Sequence, residues 1–158
     1  MFKKTLGILF ASLCVASFAW ADKPKPKPVI YCVDSYHASI SGCEEELALR
    51  VSEKFLETFP PKKYAIVAYT NLIRLPSKPE DIFVQTVDVG ISRLENGFPT
   101  VPRSTMSRHK TGKWYDSQAY VKETREDTVR FMADTVSELV HECEFRQWCF
   151  MAWPGQTR

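Results

Sequence analysis

Residues 31–46 read YCVDSYHASISGCEEE. Asp34, Ser35 and His37 are the side-chain types of a hydrolase triad, in which a histidine takes the proton of a serine and an aspartate orients the imidazole. Their spacing opposes that use. In an extended strand residues 35 and 37 share one face and residue 34 takes the other, so the carboxylate is held away from the ring. The chain also lacks a Gly-x-Ser-x-Gly elbow to present a serine. Ser39 and Ser41 suit a turn and a helix N-cap instead, with Glu44 completing a capping box three residues after Ser41. Glu44, Glu45 and Glu46 then complement the positive end of the helix dipole. The stretch reads as a seam between a strand and a helix, stapled through its cysteines, and no residue is assigned a catalytic role.

A second candidate spans residues 96–115. It holds Arg103, Arg108, His109, Lys110 and Lys113, followed by Trp114 and Tyr115, and no acidic residue lies between Glu95 and Asp116. Such a window is able to dock an anionic partner: an acidic protein pocket, an envelope polymer bearing phosphate, or nucleic acid. Its plainer use is a solvated basic loop balanced by the glutamates of the first helix. With Gly97, Pro99, Pro102 and Gly112 and no clear period, the window is expected to be a long loop, or to hold a short strand near 100–106. His141 stands in the last turn of an expected helix, where the dipole favours a cation. Phe145 occupies the position at which a His-Glu-x-x-His zinc motif would need its second histidine. Trp148, Phe150, Met151 and Trp153 near the C-terminus read as inward-facing core, with an exposed aromatic patch for a partner as the alternative.

These groups need a scaffold, and the N-terminus says where it is built. Lys3 and Lys4 precede an apolar run over residues 6–18, and Ala19-Trp20-Ala21 closes it. That is the form of a secretory signal peptide cleaved after Ala21, and its apolar run is shorter than the roughly 20 residues a bilayer span needs. Leu13 before Cys14 is not the small residue that lipid attachment at that cysteine would want. Residues 22–28 add an alternating Lys-Pro spacer, which favours an extended polyproline II tether. Residues 29–158 are expected to form one globular domain, with no later transmembrane segment. Of 21 Lys and Arg residues two are in the leader, so the remainder match the 19 Asp and Glu. That balance gives no reason to expect nucleic acid as a partner. The expected location is the periplasm, with release from the cell as the alternative.

Four cysteines follow the leader: Cys32, Cys43, Cys143 and Cys149. An even count in a small exported domain reads as two disulfides. The absence of a Cys-x-x-Cys pair and of finger-like histidine spacing argues against zinc, so neither metal nor cofactor is expected.

The patterning predicts strands at 29–36, 63–75 and 81–92, with Phe83, Val87, Val89 and Ile91 on the buried face of the last and Gly90 at a bulge. One amphipathic helix is expected from Cys43 to the Pro60-Pro61 stop, carried by Leu47, Val51, Phe55 and Phe59. A second spans 117–142, with Val121, Thr128, Val129, Met132, Val136, Leu139, Val140 and Cys143 as its apolar stripe. Residues 146–153 would be a final strand. The order β-α-β-β-α-β suggests an α+β fold of ferredoxin-like, split βαβ type: an antiparallel sheet with two helices. In that topology the first and last strands are neighbours, and the first helix starts where the second finishes. The favoured disulfides are therefore Cys32–Cys149 and Cys43–Cys143, with the local pairs Cys32–Cys43 and Cys143–Cys149 as the alternative.

These readings point to an exported protein that binds another envelope or secreted protein, as an inhibitor or immunity-type protein does. A module for anionic envelope polymer or lipid, and a small hydrolase using His37 or His109 as general base, are the alternatives.

Overall fold

The computed structural model describes residues 26–35, 39–114, 118–146 and 149, with backbone alone over 118–124. The expected leader, the start of the Lys-Pro spacer, His37, Tyr115, and Trp148, Phe150, Met151 and Trp153 lie outside the described residues.

Two long β-branched segments form the centre of the sheet. β2 (Tyr64–Leu75) and β3 (Ile82–Glu95) run antiparallel in register from Tyr64↔Arg93 to Leu75↔Ile82. β1 (Ile30–Val33) lies parallel to β2, with Ile30 opposite Ile66 and Val33 opposite Tyr69. A parallel neighbour demands a crossover, supplied here by α1 (Cys43–Ala48) and α2 (Glu53–Thr58). β4 (Phe98–Pro99) closes a short hairpin onto the end of β3, and β5 (Arg103–Lys113) pairs antiparallel with β3 on the side away from β2. α3 (Gln118–Phe145) then crosses the sheet.

The α+β class and the early β-α-β-β order agree with expectation, but the sheet has five strands and its order is not the ferredoxin-like one. β1 sits directly beside β2, whereas a split βαβ keeps another strand between them. The fifth strand arises in the window expected to be a long loop or to hold a short strand near 100–106; it starts within those bounds and runs on to Lys113.

One face of the sheet carries the core. Ile66 and Ala68 of β2 and Val87, Val89 and Ile91 of β3 are buried with Leu47, Phe55 and Phe59 from the crossover, and with Met132, Val136 and Leu139 of α3. Burying each of these side chains other than Ala68 contributes roughly 1.5–3 kcal/mol. The expected parity of β3 is thus present, with Phe83 only half-buried where the strand runs toward its hairpin.

Two local expectations fail for identifiable reasons. The single helix expected after Cys43 is broken into α1 and α2. Ser52 adopts extended backbone (φ −79°, ψ 158°) and its Oγ accepts the Phe55 N–H at 3.0 Å, restarting the helix, while its hydroxyl donates to Glu144 of α3. A serine that finds both local and tertiary partners competes with continued helix. Ser41 is also not the cap of α1: Gly42 takes that position in the left-handed region at φ 76°, without a side-chain cap.

The disulfides are the local pairs, Cys32–Cys43 and Cys143–Cys149, with Cα separations of 6.1 and 5.1 Å. The favoured long-range pairing is wrong because α1 begins beside the middle of α3. Cys43 Sγ is 3.8 Å from Met132 Sδ, and the chain then runs parallel to α3 until Ser52 meets Glu144. Met132 and Cys143 are separated by three helical turns, or roughly 16 Å at 1.5 Å per residue. Cys149 has helical backbone, and its carbonyl accepts from Ser104 Oγ at the start of β5. It is thus on the far side of the sheet from Cys32, with β2 and β3 intervening.

Candidate functional site: a basic edge strand

The seam at residues 31–46 is a tight reversal where it is described. Asp34 and Ser35 follow β1, Ser39 bridges back to Val33, and the Ile40 N–H donates to the Cys32 carbonyl at 3.2 Å. Cys32–Cys43 closes this reversal onto α1. His141 is exposed on α3 and packs its ring against Phe145, with centroids 4.5 Å apart.

The basic window is where the sequence expectation and the structure part most usefully. Arg103, Arg108, His109, Lys110 and Lys113 all belong to β5, an 11-residue strand that pairs only with β3 among the described residues. Thr105, Ser107 and Thr111 supply short or β-branched side chains that suit a pleated edge. Little of this strand touches the core: Ser104 is buried and Met106 half-buried, while most other positions face solvent. A strand so weakly buried has no apolar alternation to reveal it.

A bulge sets the start of the strand. Gly90 lies opposite Thr105 and Ile91 opposite Arg103, which leaves Ser104 as the extra residue, with φ 53°. Its hydroxyl donates to the Cys149 carbonyl at 3.1 Å, so the bulge ties β5 to Cys149, beyond α3. Gly90 is required here by close approach. A Cβ at that position would stand 2.8 Å from Pro102 Cβ and 2.9 Å from Thr105 Cγ2.

Beyond the bulge the register assigns the cations to two faces. Arg108 and Lys110 lie opposite Val87 and Gln85, on the face that α3 covers. Both reach the same ring: Arg108 Cζ is 5.4 Å and Lys110 Nζ 5.2 Å from the Phe131 centroid. Arg108 also stands 3.4 Å from a Glu138 carboxylate oxygen. His109 and Lys113 lie opposite Thr86 and Ile82 on the other face, and Lys113 Nζ is 2.7 Å from Glu80. Trp114 follows the strand; its N–H donates to the Asp81 carbonyl at 2.8 Å, and Arg74 Cζ lies 5.5 Å over its ring.

The structure therefore brings Arg108 and Lys110 together, sets His109 and Lys113 on the opposite face, and leaves Arg103 and Trp114 at the two ends. The carboxylates beside Arg108 and Lys113 are Glu138 of α3 and Glu80 of the β2–β3 connection, not the glutamates of α1. Both ion pairs are between half-exposed side chains, for which the interaction is typically about 0–1 kcal/mol. They leave β5 basic and its cations able to exchange partners.

Phe131 is the residue that sequence reading missed. It falls outside the apolar stripe of α3, and an off-stripe aromatic in an otherwise charged stretch was the available signal.

At the hairpin end, Asp81 is held below its ordinary carboxylate value by the Arg74 guanidinium, with Nε 2.6 Å from Oδ2, and then by the Ser77 backbone N–H. A cleft between α1 and α3 presents Arg50, Arg125 and Arg130 with Glu46, Glu126 and Asp134, in which Arg50 pairs with Glu46 at 3.1 Å. Its mixed charge selects no ligand class. Among the described residues there is no group of three His, Cys, Asp or Glu placed to hold a metal ion, and no helix long and apolar enough to cross a membrane.

No family model and no curated protein sequence matches the chain. Among solved structures it is similar to a minor lipoprotein from Acinetobacter baumannii, at 16% identity and a TM-score of 0.40 over 78% of this chain and 95% of that one. It is similar also to uncharacterized lipoprotein B from Nitrosomonas europaea, at 14% identity and a TM-score of 0.32 over 80% of this chain and 88% of that one. Likeness at this level assigns neither a family nor a function to the chain.

Proposed function

We propose that the protein is an exported, disulfide-stapled binding module of the cell envelope, docking an acidic protein partner against β5 in the manner of an inhibitor or immunity-type protein. The observation that carries this reading is the gathering of Arg103, Arg108, Lys110 and Lys113 on one edge strand of a chain whose charges, once the two leader lysines are set aside, balance overall. The leader-like N-terminus supports export, and the paired cysteines suit an oxidising compartment. A patch of this kind selects partners by sign of charge and speeds encounter more than it adds affinity.

The test is affinity capture. The oxidised protein is immobilised, exposed to periplasmic extract and culture supernatant, and eluted in rising salt, beside an Arg108→Glu/Lys110→Glu variant of matching circular dichroism. The proposal requires one acidic protein that the wild-type retains and the variant loses. Retention by both alike, or recovery only of glycan or lipid, would overturn it.

A further inference from the structure

We infer that β5 receives its partner as an added strand: an extended segment with acidic side chains two residues apart, hydrogen-bonded along the free edge and facing Arg108 and Lys110. This rests on the binding reading above and specifies its geometry and the chemistry of the partner.

Three observations carry it. The first is the edge itself. From Thr105 to Lys113 the register with β3 is unbroken, the segment contains no proline, and β5 has no strand on its other side among the described residues. An edge of this length offers a row of backbone donors and acceptors to an incoming chain. The single irregularity, the Ser104 bulge, is confined to its start.

The second is the placement of charge. Arg108 and Lys110 are two apart, so they point to the same face and each would lie beside the residue opposite it on an added strand. Carboxylates at alternate positions of that strand would meet both. Both cations lie over the Phe131 ring of α3, and the half-exposed Glu138 carboxylate beside Arg108 is the partner that an incoming carboxylate would displace.

The third is what the same charges exclude. Cations on an edge strand guard against self-pairing. If two copies of β5 paired antiparallel about His109, Arg108 of each would oppose Lys110 of the other. That repulsion disfavours a homodimer through this edge and leaves an acidic strand as the occupant it fits. The neighbouring Ser107, His109 and Thr111 make the other face of the edge polar, so a partner needs no apolar side chains there.

The probe is a short peptide alternating glutamate and threonine, titrated into the oxidised protein at low salt and followed by amide NMR. Two control peptides accompany it: one alternating lysine and threonine, and the glutamate–threonine peptide N-methylated at every second residue on its pairing edge. The inference predicts amide shifts confined to 103–113 and their neighbours in β3 with the acidic peptide, none with the lysine peptide, and loss of binding on N-methylation. Arg108→Glu/Lys110→Glu should weaken the acidic peptide about tenfold. Equal binding of the N-methylated peptide would overturn strand addition while leaving charge-guided docking intact. Shifts centred outside β5, or none, would overturn the inference, and the capture experiment then decides separately whether the binding reading falls with it.

Discussion

Cys43 Sγ lies 3.8 Å from Met132 Sδ in the buried core, beside the middle of α3 rather than its end. That contact fixes where the crossover helices sit, and so decides which cysteines are able to meet. It also puts both disulfides on short loops: one staples the strand-to-helix seam, the other the exit from α3.

Peptide mapping of the unreduced protein should recover Cys32 linked to Cys43 and Cys143 linked to Cys149. With sequence separations of 11 and 6, the chain-entropy estimate gives about 3 kcal/mol for the first bridge and about 2 kcal/mol for the second. Replacing each pair with alanine and unfolding in urea should rank them in that order. A linked peptide joining Cys43 to Cys143 would contradict the placement of α1.

Gly90→Ala should destabilise the protein by about 1–3 kcal/mol, because the added methyl collides with Pro102 and Thr105 inside the bulge. Thr105→Ser in the same chain removes Cγ2 and should recover part of the loss. Urea midpoints of the single and double variants make the comparison. An unchanged midpoint for Gly90→Ala would show that Pro102 and β5 shift freely.

Beneath α3, Gln85 Nε2 donates to Thr128 Oγ1 at 2.6 Å and to Thr70 Oγ1 at 3.2 Å, while its Oε1 meets no donor among the described residues. Thr128→Val strands a buried amide hydrogen and should cost about 1–3 kcal/mol. Gln85→Leu removes that amide and its unmatched carbonyl together and should cost less. The reverse order in urea unfolding would mean that the Gln85 carbonyl is better satisfied than this arrangement gives.

Asp81 supplies a pH dependence with a definite sign. Its carboxylate is favoured in the folded chain by Arg74 first and by the Ser77 N–H second, so its pKa lies below the ordinary 3.8. The contribution is therefore present above that value and lost as pH falls through the lower folded one. Because Arg74 also lies over Trp114, the Trp114 indole resonance should report the change with a midpoint below 3.8. Asp81→Asn should abolish that transition, and a midpoint above 3.8 would contradict the pairing.

Elements with a strong period were legible in the sequence. Val87, Val89 and Ile91 share a parity because one face of β3 is buried, and Met132, Val136 and Leu139 recur because one side of α3 is. β5 was legible only as the alternative of a short strand near 100–106, and its length was not, since a strand whose side chains mostly face water carries no alternation, and the prolines and glycines around it mimic a loop. The break between α1 and α2 was hidden for the opposite reason. The spacing of Leu47, Val51, Phe55 and Phe59 continues across it, although α1 stops at Ala48 and Ser52, which caps Phe55 and meets Glu144, restarts the helix at Glu53. The basic residues of the candidate site were found as a cluster in the chain. Their division between two faces, and the Phe131 ring under two of them, depend on the register with β3 and the path of α3, which no local pattern encodes.

Hydrogen exchange of the oxidised protein, alone and with the captured acidic partner, tests the role of β5 most directly. Strand addition predicts slowed exchange across Arg103–Lys113, with Cys43–Ala48 and Glu53–Thr58 unchanged. Protection elsewhere, with the amides of β5 exchanging as fast as in the free protein, would contradict it.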